Sequence, residues 1–257
     1  MTLPLAGRRV LVTRGAKQAS SLSDGLRALG AIPVEVPVIE IRPPESFDGL
    51  DAALRKLDSY DWLILTSANA VRSFVERAEY LGIELPRKPA LNVAAIGPAT
   101  ANAAQKSKLE VSIIPESYVA ESLVKVLQQK TAGMSVLLAR AAVARDVIPN
   151  ALREAGAMVD VVDAYRNALP ESAPEKLRQA LSEPIDAVTF TSSSSALHLA
   201  EAARLAGIAF PFADVPAISI GPITSRILRD LGWPPAAEGD PSEIPGLIAA
   251  VKRVLSS

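Results

Sequence analysis

The chain has 257 residues, enough for one large domain or two ordinary ones, and its net charge of −1 gives no general electrostatic reason to expect a nucleic-acid partner. The absence of cysteine excludes disulfides, thiolate metal sites and cysteine nucleophiles. Because no apolar run of 18 residues occurs, and the first residues lack the apolar stretch of a secretion signal, we expect a soluble, cytoplasmic protein that does not enter a membrane.

Strands and helices alternate in the first half of the chain. Residues 9–14 form an apolar, β-branched run that predicts a buried strand, and 20–29 have helical spacing. Residues 31–41 are predicted to be extended, because Pro33 and Pro37 do not fit a helix. Further on, the pattern predicts a strand at 62–67, a helix at about 69–81, a strand at 92–98 that leads into a helix, and a helix at 122–129. This alternation indicates an α/β fold with a doubly wound parallel sheet.

The second half of the chain repeats the first. At a shift of 125, residues 61–86 lie on 186–211 with 8 of 26 positions identical. Three more blocks match in order at shifts of 124 to 126: 7–14 with 133–140, 26–31 with 152–157, and 96–100 with 220–224. Four blocks at a nearly constant shift indicate an internal duplication and therefore two similar lobes.

Two divisions of the chain fit this duplication. A cut at the repeat junction near Lys130 gives two successive domains. Alternatively, the first βαβ piece of each repeat packs with the remainder of the other repeat. The extended connectors at 36–45 and 162–171 would then cross side by side as an antiparallel pair. The sequence alone leaves both divisions open.

Hydroxyl-bearing and small residues follow the predicted strands, at the edge where an open α/β sheet binds its ligand. They are Arg14, Thr66, Ser67, Asn69, Gly97, Thr100, Arg140, Thr191, Ser192, Ser193, Gly221 and Thr224. Free backbone N–H groups at the adjoining helix N-termini bind anions. The serines and Asn69 also suit helix caps. Both interpretations stay open, since a cap occupies one N–H group and leaves others.

Other site chemistries lack their usual motifs. The chain has no phosphate-binding Walker loop, no dinucleotide glycine fingerprint after a strand and no hydrolase nucleophile elbow. Its one histidine, His198, is expected to be an ordinary surface or boundary residue of a helix. We therefore expect no metal site, no nucleophile and no acid–base pair. An enzyme built this way would work mainly by holding an anionic substrate in one shape.

Six segments together carry a family resemblance: VLVTR, LILTSANAV, AAIGPAT, the stretch from LLARAAVAR to DAYRN, VTFTSSSSA and ISIGPITS. The ordered set resembles the uroporphyrinogen-III synthase family over about residues 5–255. The resemblance implies two α/β lobes joined by a two-stranded β linker, with the active site in the cleft between them, a monomer, and no cofactor. The implied boundaries are 1–37 with 169–257 for one lobe, 42–162 for the other, and 38–41 and 163–168 for the linker strands.

The resemblance implies closure of the linear tetrapyrrole hydroxymethylbilane to uroporphyrinogen III, with loss of water and inversion of ring D. Tyr165 falls on a tyrosine often found in the family and is expected to donate to the departing hydroxyl, or else to pack the linker. Thr224 and Ser225 resemble the family's hydroxyl-bearing turn, and Arg14 resembles its arginine after the first strand. Arg140 is the duplicate of Arg14. The serines 67, 192 and 193 would bind carboxylate arms of the substrate.

A second hypothesis comes from a different class of protein. A duplicated α/β chain without obvious catalytic groups also suits a two-lobed cytoplasmic binding or sensor protein for a small anion. An enzyme would turn hydroxymethylbilane over at catalytic amounts, whereas a binder would only be stabilised by its ligand in a stoichiometric way.

Overall fold

The structure is a computed structural model that describes residues 3–14, 20–85 and 91–256. In chain order its elements are β1 (Arg9–Val12), α1 (Ser20–Ala28), β2 (Ile32–Glu35), β3 (Glu40–Arg42), α2 (Asp48–Arg55), a 3-10 turn (Leu57–Ser59), β4 (Trp62–Leu65), α3 (Ala68–Tyr80), β5 (Asn92–Ala95), α4 (Pro98–Lys106), β6 (Val111–Ile113), α5 (Ala120–Leu127), β7 (Ser135–Ala141), α6 (Val147–Glu154), β8 (Met158–Ala168), α7 (Ala173–Ala180), β9 (Ala187–Phe190), α8 (Ser193–Ala206), β10 (Ala217–Ser219), α9 (Pro222–Asp230), β11 (Ala237–Glu238) and α10 (Ile244–Leu255).

The chain divides into two compact units. Unit 1 is Met1–Glu40 with Ala168–Ser257, and unit 2 is Ile41–Asn167. The repeat junction near Lys130 lies inside unit 2, between α5 and β7. Each unit therefore combines the first βαβ piece of one repeat with the later elements of the other.

Unit 1 contains a five-stranded sheet in the order β11-β10-β9-β1-β2, and each adjacent pair is parallel. Residues of β1 alternate between its two faces. Val10 and Val12 pack with α1 and α10, whereas Leu11 packs with α7, α8 and α9. Helices thus cover both faces of the sheet, which explains why its strands read as continuous apolar runs.

Unit 2 contains a sheet in the order β3-β8-β7-β4-β5-β6. The five strands from β8 to β6 are parallel. Leu63 and Leu65 of β4 face a core built with α2, α3 and α4, and Trp62 and Ile64 face a second core built with α5 and α6. The predicted α/β class with doubly wound parallel sheets is confirmed.

The predicted segments agree with the observed elements to within a few residues. The largest departure is in the stretch 31–41, which holds two short strands, β2 and β3, instead of one extended run. Of the helices in the described ranges, none is both long and apolar enough to cross a membrane.

Candidate active site

In unit 2, Thr66 and Ser67 follow the carboxyl end of β4 and lead into α3. Ser67 has an extended backbone, with φ −161° and ψ 159°, and its Oγ accepts a hydrogen bond of 3.0 Å from the Ala70 N–H group. This is a serine N-cap, as one of the two interpretations expected. Asn69 lies in the first turn of α3 and accepts a hydrogen bond from Arg72. Thr66 and Asn69 are partly exposed at this edge.

Tyr165 lies near the end of β8, where the strand is bulged. Along β7 the pairing runs from Arg140 opposite Asp163 to Ala141 opposite Tyr165, so Ala164 is an extra residue. A bulge interrupts the alternation of side chains along a strand. Ala164 and Tyr165 are accordingly both buried, and Tyr165 is only 6% exposed. Its hydroxyl lies 3.1 Å from Ser67 Oγ.

At the next strand end of unit 2, Gly97 is the N-cap residue of α4, and no side chain caps this helix. A Cβ at Gly97 would lie 3.3 Å from Cβ of Tyr118, so the glycine leaves room for this tyrosine. Tyr118 is 54% exposed and was not predicted from the sequence, because it lies in no recognisable motif. Thr100, in the first turn of α4, is buried.

Arg140 is held by its own loop. One terminal nitrogen donates to Asp146 Oδ1 at 2.7 Å and the other to the Arg145 carbonyl oxygen at 3.1 Å. The side chain is 13% exposed, and its Nε has no partner among the described residues. Arg145 pairs in turn with Glu121 at 2.8 Å. Two of the five guanidinium N–H groups are thus engaged within this loop.

In unit 1, Ser192 is the N-cap of α8 and forms a capping box with Ser195. The Ser195 N–H group donates to Ser192 Oγ at 3.2 Å, and the Ser192 N–H group donates to Ser195 Oγ at 3.3 Å. Thr191 and Ser193, on either side, are partly exposed. The capping box thus provides partners for two of the N–H groups that need them at this helix start.

In the turn after β10 the predicted hydroxyl-bearing residues are buried in unit 1. Gly221 is the N-cap of α9 and no side chain caps this helix. Thr224 is 3% exposed and Ser225 is fully buried. Ser225 Oγ lies 2.6 Å from Ser219 Oγ and donates to Glu238. The Ser225 hydroxyl is therefore occupied inside unit 1 in this conformation, and its role toward a substrate stays a prediction.

Arg14 follows β1 at the carboxyl edge of the unit 1 sheet and is partly buried. Burial lowers the pKa of its guanidinium group from the ordinary value. His198, which was expected to be a boundary residue of its helix, places Nδ1 2.9 Å from the Val38 carbonyl oxygen. Ser67 and Tyr165 are two predicted site residues whose side chains the structure brings into hydrogen-bond contact.

The sequence matches the family model described as uroporphyrinogen-III synthase HemD over residues 6–249. The chain belongs to the uroporphyrinogen-III synthase family. It is 32% identical to the uroporphyrinogen-III synthase of Synechococcus elongatus over 97% of this chain and 96% of that relative. The family is an enzyme family of tetrapyrrole biosynthesis.

Solved structures of the family share the fold. A mutant uroporphyrinogen III synthase from Thermus thermophilus has a TM-score of 0.65 at 24% identity and covers 97% of this chain and 99% of its own. The enzyme from Helicobacter pylori has a TM-score of 0.65 at 18% identity, over 95% and 98% of the two chains. At these identities the likeness supports the fold alone.

Proposed function

We propose that this chain closes hydroxymethylbilane to uroporphyrinogen III, with ring D inverted and water released. The observation that carries the proposal is the family match, which extends over residues 6–249 and is supported by a full-length synthase relative at 32% identity. No comparison supports the alternative of a two-lobed anion sensor. We further propose that the enzyme acts in the cytoplasm as a monomer.

The reaction needs a departing hydroxyl and a controlled conformation. Loss of the hydroxyl from ring A leaves an electrophilic azafulvene, which the substituted carbon of ring D attacks to give a spiro intermediate. Fragmentation and re-closure then turn ring D over. Because the uncatalysed route gives the uninverted type I isomer, the protein must favour one folded conformer of the chain of pyrroles and assist the departure.

We assign the assistance to Tyr165, whose phenol would donate a hydrogen bond or a proton to the departing oxygen. What supports this role is its place at the carboxyl edge of the unit 2 sheet, where a parallel α/β sheet binds ligands, and the contact of its hydroxyl with Ser67. If Tyr165 were only a packing residue, its hydroxyl would have no role in the reaction.

The carboxylate arms would bind the backbone N–H groups at the N-termini of α3, α4, α8 and α9. Each of these helices begins directly after a strand of its own sheet, with Ser67, Gly97, Ser192 or Gly221 as its N-cap residue. The partial positive charge and the N–H groups of such helix starts favour anions. At Gly97 and Gly221 no side-chain cap competes with a ligand for the free N–H groups.

The test is the isomer that the protein forms. Hydroxymethylbilane is generated in situ, the protein is added over a titration range, and the type I and type III products are separated after oxidation. We expect type III to rise with catalytic amounts of protein and to exceed the protein concentration many times over. Type I as the sole product at every protein concentration would contradict the proposal, and a stoichiometric thermal stabilisation without turnover would favour the sensor alternative.

A further inference from the structure

The contact between Ser67 and Tyr165 has a defined capacity for hydrogen bonds. A serine hydroxyl offers one donor and two acceptor lone pairs. One lone pair of Ser67 Oγ accepts the Ala70 N–H group at 3.0 Å, and the Tyr165 hydroxyl lies 3.1 Å from the same oxygen. The serine proton is therefore available to the tyrosine oxygen. When Ser67 donates in this way, the phenol proton of Tyr165 is left for a third group.

The surroundings hold the phenol in one direction. Tyr165 is 6% exposed and packs in the core cluster that contains Leu65, Ala139 and Val162. The bulge at Ala164 turns the tyrosine to this face of β8. The ring thus has little freedom to reorient, and the Ser67 hydroxyl fixes where the phenol oxygen can accept.

The chain of donors begins at the positive end of a helix. The Ala70 N–H group belongs to the first turn of α3, and Ser67 is its N-cap. Hydrogen bonds in series polarise one another, and a helix N-terminus stabilises negative charge that develops near it. Charge that forms on the phenol oxygen during proton donation is therefore stabilised through Ser67.

The duplication provides an internal comparison for this contact. At a shift of 125, Ser67 lies on Ser192, which caps α8 with Ser195 as its reciprocal partner. At a shift of 126, Tyr165 lies on Ile39. A serine cap in this fold therefore does not require a tyrosine, and the tyrosine contact is an addition made in unit 2.

We propose that Ser67 is a positioning residue that orients and polarises the Tyr165 hydroxyl, and not a ligand of a substrate carboxylate; this rests on the proposed function. As the ring A carbon–oxygen bond breaks, the phenol proton passes to the departing oxygen and water forms. The phenolate accepts the Ser67 O–H group. The proton that ring D loses on regaining aromaticity then returns to the phenolate, so the enzyme is regenerated.

A double-mutant cycle tests this role. The variants Ser67→Ala, Tyr165→Phe and the pair are compared for kcat and KM of type III formation. We expect Ser67→Ala to lower kcat about ten-fold, the effect of one hydrogen bond of about 1.4 kcal/mol, with KM nearly unchanged. In the Tyr165→Phe background the same change should lower kcat no further. Ser67→Thr, which keeps a hydroxyl and a cap, should restore most of the activity.

The control separates positioning from capping. Ser192→Ala removes the matching cap in unit 1, and its effect should multiply with that of Tyr165→Phe instead of vanishing. Thermal unfolding of each variant shows whether the loss of a cap has lowered its stability. If Ser67→Ala folds poorly, Ser67→Gly replaces it, because glycine is tolerated as an N-cap and also lacks the hydroxyl.

Full multiplication of the Ser67→Ala and Tyr165→Phe effects, or a rise in KM alone, would overturn the positioning role while type III formation by the wild type still supports the proposed function. A wild-type protein that forms type I only would remove both proposals.

Discussion

The two units agree closely at the amino ends of their strands. In unit 1, Asp186 Oδ2 accepts the Arg9 N–H group at 2.8 Å, at the start of β1. In unit 2, the equivalent Asp61 Oδ2 accepts the Ser135 N–H group at 2.9 Å, at the start of β7. The same carboxylate thus joins the same two strands in both units. This end of each sheet retains the framework of the ancestral repeat.

At the carboxyl ends the units differ. Ser67 contacts Tyr165 in unit 2, whereas the equivalent Ser192 is engaged by Ser195 and has Ile39 at the position of the tyrosine. A duplicated scaffold can therefore keep its folding contacts at one end and diverge at the other, where loops and helix starts are less constrained by packing.

Unit 1 has a buried polar group that unit 2 lacks. Ser219 and Ser225 share a hydrogen bond, and Ser225 donates to Glu238. At a shift of 124 the same positions hold Ala95, Ala101 and Ile114. The fold therefore accepts apolar residues at these three positions. The hydrogen-bonded cluster of Ser219, Ser225 and Glu238 is specific to unit 1.

The largest effect on activity is expected at Tyr165, whose equivalent in unit 1, Ile39, has no hydroxyl. Tyr165→Phe keeps the ring and removes the hydroxyl, so type III formation should fall roughly 100-fold if acid assistance has its usual size. The type I product should rise, since the uncatalysed route persists. Rates and isomer ratios are measured with in situ substrate, and melting should change little.

Tyr60→Phe is the matched control for this prediction. Tyr60 is also buried in unit 2, but its hydroxyl donates to Asp160, next to the amino end of its sheet. We expect normal type III rates from this variant. A Tyr165→Phe protein that melts normally and keeps the wild-type rate would leave conformational control as the whole mechanism.

Each unit has one tryptophan, and the two differ in hydrogen bonding. Trp233 Nε1 donates to the Val215 carbonyl oxygen at 3.0 Å, whereas Trp62 Nε1 has no partner among the residues described. Trp233→Phe leaves that carbonyl unpaired, so it should cost about 1–3 kcal/mol more than Trp62→Phe. Urea unfolding of both variants measures the difference. Equal losses would mean that the packing of the rings, and not the hydrogen bond of Trp233, accounts for the effect of both substitutions.

The third prediction concerns helix ends. Gly232 after α9 has φ 77°, and Lys108, its equivalent after α4, has φ 61°. This left-handed conformation is unfavourable for a residue with a Cβ by about 1–2 kcal/mol and unstrained for glycine. Lys108→Gly should therefore raise the free energy of unfolding by about 0.5 kcal/mol, and Gly232→Lys should lower it by about 1 kcal/mol. Changes of the same sign in the two variants would contradict this reasoning.

The smallest effect concerns pH. Hydrogen bonds from Lys56 and Tyr60 hold the pKa of Asp160 below its ordinary value. A carboxyl with a lowered folded-state pKa stabilises the protein above its unfolded-state pKa of about 3.9, and this contribution is lost as the pH falls through the folded value. Asp160→Asn should thus lower the urea midpoint slightly at pH 7. The difference from wild type should shrink on acidification; a constant difference would argue for packing.

The positions in unit 1 that are equivalent to Lys56, Tyr60 and Asp160 carry no polar side chain. They hold the apolar residues Leu181, Ile185 and Val34. Burial, followed by the hydrogen bond to Asp160, raises the pKa of Tyr60 to about 12, so the tyrosine stays neutral over the whole range of this experiment.

Much of the framework could be predicted from the sequence. Parallel strands such as β4 are buried on both faces and therefore consist of continuous apolar residues, and the matching blocks revealed the duplication. The bulge that places Tyr165 was not predictable in this way, because a register shift depends on the partner strand. The burial of Ser225 was not predictable either, because it depends on Glu238. Glu238 lies in the two-residue strand β11, which is too short to show a hydrophobic periodicity.

The division of unit 1 also has a consequence for synthesis on the ribosome. Unit 2 is a contiguous stretch, so all of its strands are available once residue 167 has emerged. The strand β1, in contrast, pairs with β9, about 177 residues further along the chain. Contacts of such long sequence separation form slowly, and domains generally fold as units during translation. Until β9 has been made, β1 therefore lacks its partner on one side, and this apolar strand edge stays unpaired while the whole of unit 2 is synthesised.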